Sequence, residues 1–196
     1  MRTSTIERKT KETDIKLSLT LPEPGETGLF EGSSGIGFFD HMLNAICVHS
    51  GMKIKLAMKG DLEVDGHHSV EDLGIVLGQA FKAALASGKP VRRYGSACIP
   101  MDESLSRAVV DLCGRPYLVF NAYFKNQYIG QMETDLFKEF FYAFVSQASV
   151  TLHMECLYGE NDHHKAESLC KAFAHAIGIA CEERSDVLST KGILEA

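Results

Sequence analysis

The sequence predicts an α+β fold made by tandem duplication, each half a β-sheet with helices on one face. Three observations carry this. Alternating and helical apolar patterns follow one another in the same order twice along the chain. The motif HHxxE occurs twice, at His67/His68/Glu71 and at His163/His164/Glu167, each time opening an amphipathic helix. The chain has 196 residues, of which 45% are hydrophobic, enough for one domain or two small halves sharing a core.

The elements follow in order. Ile15, Leu17, Leu19 and Leu21 alternate with polar residues, as in a half-buried strand. Gly37-Phe38-Phe39-Asp40-His41-Met42-Leu43 opens a helical pattern that continues to Ile46. Ile54, Leu56 and Met58 alternate again, and a Gly/Asp loop leads to the first HHxxE. Leu73, Val76, Leu77, Ala80, Phe81, Ala84 and Leu85 then form one helical stripe. The second half has strand patterns over 108–112 and 118–124, and a helix carrying Leu136, Phe137, Phe140, Phe141 and Phe144. Val150, Leu152, Met154 and Cys156 alternate, and the second HHxxE opens a helix with Leu169, Cys170, Phe173, Ala174 and Ile177 on its stripe. The halves divide near Gly88-Lys89-Pro90, giving about 1–90 and 91–196. Neither is long enough to be comfortable alone, so one compact unit is expected, with the helices of the two sheets buried against each other.

The net charge of −6 argues against a nucleic-acid partner, which calls for a basic face. It leaves room for a small anionic ligand, for which a few aimed cations suffice. No apolar run approaches the ~20 residues that span a bilayer, and the first residues carry no apolar leader segment. The six cysteines form no CxxC pair, and several lie in apolar runs. Buried, reduced thiols and a cytoplasmic protein are expected.

The doubled motif points to metal. Residues i and i+4 share a helix face, whereas i and i+1 point about 100° apart. His67 can therefore share an ion with Glu71, and His163 with Glu167. His68 and His164 must each reach toward a different ion, and the simplest solution is an exchange between the motifs. Aligning Lys53-Ile54-Lys55-Leu56 with Thr151-Leu152-His153-Met154 pairs His41 with Glu139 (53 − 41 = 12; 151 − 139 = 12). The expected sites are His41, His68, His163 and Glu167 for one ion, and His67, Glu71, Glu139 and His164 for the other. Taken singly, each of these is more often a helix cap or a solvated side chain; the repetition favours metal. Imidazole and carboxylate without thiolate suit Mn, Fe, Co or Zn, and unfilled coordination positions mean chemistry rather than structure. His153 and His175 are read as structural, and His49 as either a partner of a helix C-terminus or a substrate contact.

Several segments together resemble the imidazoleglycerol-phosphate dehydratase family along nearly the whole chain. They are Arg8-Lys9-Thr10-Lys11-Glu12-Thr13, Gly37-Phe38-Phe39-Asp40-His41-Met42-Leu43, Asp65-Gly66-His67-His68-Ser69-Val70-Glu71-Asp72 and Met101-Asp102-Glu103-Ser104-Leu105. Gly114-Arg115-Pro116-Tyr117, Gly159-Glu160-Asn161-Asp162-His163-His164 and Ser189-Thr190-Lys191-Gly192 complete the series. The resemblance implies duplicated halves of the ribosomal protein S5 domain 2-like fold and two Mn²⁺ per active site. It also implies a homo-oligomeric shell of 24 subunits built from trimers; some families fuse a phosphatase to this domain, for which 196 residues are expected to leave no room. At the position of Glu139 the family often has His.

The implied reaction dehydrates imidazoleglycerol phosphate to imidazoleacetol phosphate in histidine biosynthesis. The C2 proton of this substrate is not acidic. A ring held between two metals as imidazolate can expel the C3 hydroxyl, and loss of the C2 proton then gives an enol and the ketone. Glu12, Glu71 and Glu167 are the acid/base candidates. The resemblance assigns substrate contacts to Glu12, Arg93, Arg115, Lys171, Ser189, Thr190 and Lys191, and His49 joins the substrate-binding candidates from its place at the end of the first helix. Lys171 also lies two helical turns beyond His163 (171 − 163 = 8), on the metal-bearing face. Singly, such cations are usually surface ion-pair partners. Asp102 and Glu103 receive no role from the sequence. The alternatives are a two-metal hydrolase, which needs no imidazole selectivity, and a metal-assembled shell, which needs no phosphate cluster.

Overall fold

The computed structural model describes residues 1–23 and 25–185. The first half runs β1 (Thr3–Lys9), β2 (Thr13–Thr20), β3 (Leu29–Glu31), α1 (Gly37–Ser50), β4 (Lys53–Gly60) and α2 (His67–Ala86). The second runs β5 (Tyr94–Met101), β6 (Ser104–Asp111), β7 (Tyr117–Asn121), α3 (Leu136–Ala148), β10 (Thr151–Tyr158) and α4 (Asp162–Ala180). A small hairpin, β8 (Tyr128–Ile129) and β9 (Met132–Glu133), is inserted before α3. The sheets have matching orders, β1-β2-β4-β3 and β5-β6-β10-β7. In each, the last strand runs parallel to its neighbour and the other pairs are antiparallel.

The alternation read from the sequence holds in β2, β4, β6 and β10, where Ile15, Leu17, Leu19, Ile54, Ala108, Val110, Leu152 and Met154 are buried. The edge strands β1 and β5 escaped that reading. No residue of β1 is fully buried, so it carries no apolar alternation to detect. The strand read over 118–124 ends at Asn121.

Helices of the two halves meet between the sheets: α2 packs on α3 and α1 on α4. Aromatic rings join the halves, with centroids 5.1 Å apart in Phe39–Phe140 and 5.5 Å apart in Phe81–Phe144, and Phe141–Phe173, also 5.1 Å apart, ties α3 to α4 within the second half. Each such ring contributes about 1.5–3 kcal/mol by burial. The buried residues of both halves form one continuous apolar cluster.

No described helix is long and apolar enough to cross a membrane. The cysteines correct one expectation. All six are free, but Cys98 is exposed on an edge strand and Cys156 is half-buried. Burial pushes the thiols of Cys47 and Cys181 up to about 12, which keeps them uncharged and inert.

Candidate active site

The N-terminus of α4 is tightly specified. The Asn161 side chain caps it, accepting from the backbone N–H of His163 (2.9 Å) and His164 (3.5 Å). In α2 the corresponding anchor is Asp65, which accepts from the His67 N–H at 2.7 Å. Both motifs therefore start at the first turn of a helix, and the spacing argument applies as expected. His163 Nε2 lies 3.1 Å from Glu167, and His67 Nε2 lies 3.5 Å from Glu71.

Helix α1 adds His41, whose Nε2 is 3.5 Å from Glu167. One ligand atom from each of His41, His163 and Glu167 lies within 4.8 Å of the others. Donors around a single first-row ion at about 2.0–2.2 Å are separated by up to about 4.4 Å, so this trio fits one ion after small shifts. Glu167 is buried. Desolvation works against its charge, but the hydrogen bond and charge of Lys171, 2.7 Å away, prevail and hold it below the usual carboxylate range. Two turns farther along α1 and α4 the rings of His49 and His175 lie 5.2 Å apart. Burial first, then the charges of Lys171 and His175, lowers the His49 pKa. His175, read as structural, lines a cavity of about 500 Å³ together with His49, whereas His153 is exposed on β10.

The second histidine of each motif turns away from this trio. His68 places Nδ1 3.0 Å from Asp61 and Nε2 3.8 Å from Glu12. His164 places Nδ1 2.7 Å from Glu103 and Nε2 3.7 Å from Asp102. These contacts raise both histidine pKa values, the hydrogen bonds to Asp61 and Glu103 being the largest causes. Glu103 is held below the usual carboxylate range, first by the Asn161 N–H and then by His164. Among the described residues, neither His68 nor His164 joins the group of His41, His163 and Glu167. Glu139 is half-buried on α3 and joins no three-membered ligand group among the described residues.

The predicted phosphate cations separate into two places. Lys171 is beside Glu167, whereas Arg93 and Arg115 lie at the other end of the second sheet. Arg93 pairs with Asp111 through Nε (2.7 Å) and a terminal nitrogen (3.2 Å). The Arg115 carbonyl accepts from Thr151 at the start of β10. The eight residues of β10 separate this end from the second HHxxE by about 25 Å. Ser189, Thr190 and Lys191 lie outside the described residues.

Sequence reasoning missed Asp61 and the role of Glu103. No fixed spacing announces Asp61, which lies in a polar loop. Glu103 was within reach: Leu17 pairs with Leu56 and Ala108 with Met154, so Glu12 and Glu103 are repeat equivalents (17 − 12 = 5; 108 − 103 = 5).

Residues 34–177 match the family model described as imidazoleglycerol-phosphate dehydratase (IGPD). The chain belongs to the imidazoleglycerol-phosphate dehydratase family. It is 52% identical over 195 residues to the imidazoleglycerol-phosphate dehydratase of Clostridioides difficile strain 630, covering 99% of this chain and 100% of the relative. It is 50% identical over 192 residues to that of Acetivibrio thermocellus, covering 96% and 97%. The crystal structure of the Staphylococcus aureus enzyme superposes with a TM-score of 0.83 at 37% identity, covering 93% of this chain and 99% of that one. That of Pyrococcus furiosus IGPD gives 0.81 at 32%, covering 96% and 100%. Membership makes the protein a hydro-lyase, which sets aside the hydrolase and the non-catalytic shell.

Proposed function

We propose that the chain dehydrates imidazoleglycerol phosphate to imidazoleacetol phosphate, its two halves (about 1–90 and 91–196) working as one unit. The observation that carries this is the trio of His41, His163 and buried Glu167, with Lys171 bonded to Glu167: a candidate metal-ligand group with a cation beside it. The proposed ligand sets are His41, His68, His163 and Glu167, and His67, Glu71, Glu139 and His164. Two Mn²⁺ held there would supply positive charge to the ring nitrogens and so stabilise the imidazolate form of the substrate ring.

The side chains do the rest. Glu12, Glu71 and Glu167 are the candidates for protonating the departing C3 hydroxyl and removing the C2 proton. Glu12 is the one that belongs to neither ligand set, so its carboxylate is free to move a proton. Lys171 and His49 offer donors to the phosphate, joined by Arg93, Arg115 and the 189–191 segment.

A small substrate cannot bridge the length of β10, so Arg93 and Arg115 serve it from a neighbouring chain. The outward aim of His68 and His164 supports the same reading. The proposed assembly is the 24-subunit shell built from trimers, closed by metal, in the cytoplasm. Light scattering with chelator should show small oligomers, and Mn²⁺ should produce the shell together with dehydratase activity. Activity gained with no change in size would sink the shared-site reading; no activity on this substrate would sink the reaction.

A further inference from the structure

We propose that Asp61 and Glu103 are positioning residues that fix the second histidine of each motif so that Nε2 is the nitrogen offered to metal. This rests on the reading above that His68 and His164 are ligands.

The same contact is made twice by unrelated means. Asp61, from the loop after β4, takes Nδ1 of His68 at 3.0 Å. Glu103, from the β5–β6 turn, takes Nδ1 of His164 at 2.7 Å. These carboxylates are not repeat equivalents; the equivalent of Glu103 is Glu12, which faces Nε2 of His68 instead. The loop between strand and motif explains the switch. It is two residues longer in the first half (67 − 53 = 14; 163 − 151 = 12), and Asp61 lies within it. In the shorter loop the backbone itself reaches Glu103. Two different routes to one contact point to a requirement at the histidine.

The requirement is chemical. A carboxylate can only accept, so the ring proton is held on Nδ1 and the lone pair is left on Nε2. Both Nε2 atoms lie beyond hydrogen-bond distance of their nearest carboxylates, at 3.8 Å and 3.7 Å.

The two braces differ in rigidity. Glu103 Oε1 accepts from the N–H of Glu160 (3.0 Å) and Asn161 (2.7 Å), while Oε2 takes His164. In Glu103→Gln the amide oxygen must stay on the two backbone donors, so its NH₂ faces Nδ1. The ring proton then moves to Nε2, where it blocks the metal. Asp61 has both oxygens within 3.3 Å of the same nitrogen, so an amide there can present its oxygen.

The test is a Mn²⁺ titration of the full-length metal-free protein, followed by the EPR signal of free Mn²⁺. Glu103→Gln should weaken one class of sites by about 10- to 100-fold. Asp61→Asn should weaken its class less than tenfold. The ¹⁵N shifts of the His164 ring should report a change of tautomer in Glu103→Gln, while the melting temperature of the metal-free protein stays at the parent value. Parent-like affinity in Glu103→Gln, or weaker binding with the parent tautomer, overturns the proposal. His164→Ala separates the two layers. If it loses one class of sites while Glu103→Gln does not, positioning alone fails; if it keeps both classes, the ligand reading fails as well.

Discussion

The two helix pairs of this molecule are repeat equivalents that have been put to different uses. Along α1 and α4 lie His41, His163 and Glu167, then Lys171, then His49 against His175. Shifting α2 onto α4 (163 − 67 = 96) and α1 onto α3 (139 − 41 = 98) gives the matching track in the other pair. There Glu139, His67 and Glu71 occupy the first positions, but Ile75 replaces Lys171. Gln79 and Gln147 replace His175 and His49, and they close on each other in a 3.2 Å hydrogen bond. Glu71 is 45% exposed where Glu167 is 11%.

Packing explains much of this. A Cβ on Gly74 would lie 2.6 Å from the Phe140 carbonyl oxygen, and one on Gly78 2.5 Å from that of Phe144. The α2–α3 contact thus depends on two glycines for close backbone approach. Their equivalents in α4 are Cys170 and Ala174, which hold α4 with ordinary side chains. Beyond the first-turn histidines and carboxylates, one pair is committed to packing; the other keeps a cation, Lys171, between its helices' polar side chains.

The largest expected effect breaks the packed pair. Gly74→Val puts a branched side chain against backbone that cannot move aside, and should cost about 3 kcal/mol. The melting temperature should then fall by about 6–12 °C for a chain of this size. The equivalent substitution Cys170→Val enlarges the side chain by only about one methyl group and should cost about 1 kcal/mol. Equal losses at the two positions in calorimetry would mean the pairs are packed alike.

The next effect falls on that cation. Lys171→Ala removes a charge-assisted donor of about 1.5–3 kcal/mol, so kcat/KM should fall about 10- to 100-fold, mostly through KM. Bound Mn²⁺ should be unchanged, since Lys171 is not a ligand. Ile75→Ala, at the matching place in α2, should leave KM within about twofold, because it holds no polar contact to substrate. Steady-state kinetics on both variants decides whether the helix pairs are unequal.

Much of this was legible in the sequence. The strands that bury one face, the four helices and the i,i+4 pairs His67/Glu71 and His163/Glu167 follow from periodicity, and the structure keeps them. The partnership of His41 with His163 and Glu167 came from the internal alignment, a long-range contact made legible by duplication. What stayed hidden has physical causes. Edge strand β1 lacks a buried face. Asp61 acts from an irregular loop, whose geometry no period encodes. Gly74 and Gly78 look merely permissive in a helical stripe until a second helix lies against them. The aim of His68 and His164 away from the trio depends on the carboxylates that hold the rings, and these come from distant turns.

The smallest effect tests whether the α2–α3 pair takes part in substrate binding beyond its proposed ligands. Gln79 and Gln147 are both half-buried, and their amides bond to each other rather than to a ligand. Gln79→Ala removes one neutral hydrogen bond whose net value is about 0.5–1.5 kcal/mol, and Gln147 can turn to water because it is not fully buried. Melting should drop by about 2–4 °C per kcal/mol lost. Substrate KM and bound Mn²⁺ should match the parent protein, because Gln79 and Gln147 each lie about two helical turns beyond the proposed ligands Glu71 and Glu139 (79 − 71 = 8; 147 − 139 = 8). The contrasting variant is His49→Ala, on the matching position of α1. It removes a side chain assigned to the substrate and should raise KM with little change in melting. A tenfold rise in KM in Gln79→Ala would show that the glutamine pair shapes the substrate site, and the division of labour between the two helix pairs would then have to be abandoned.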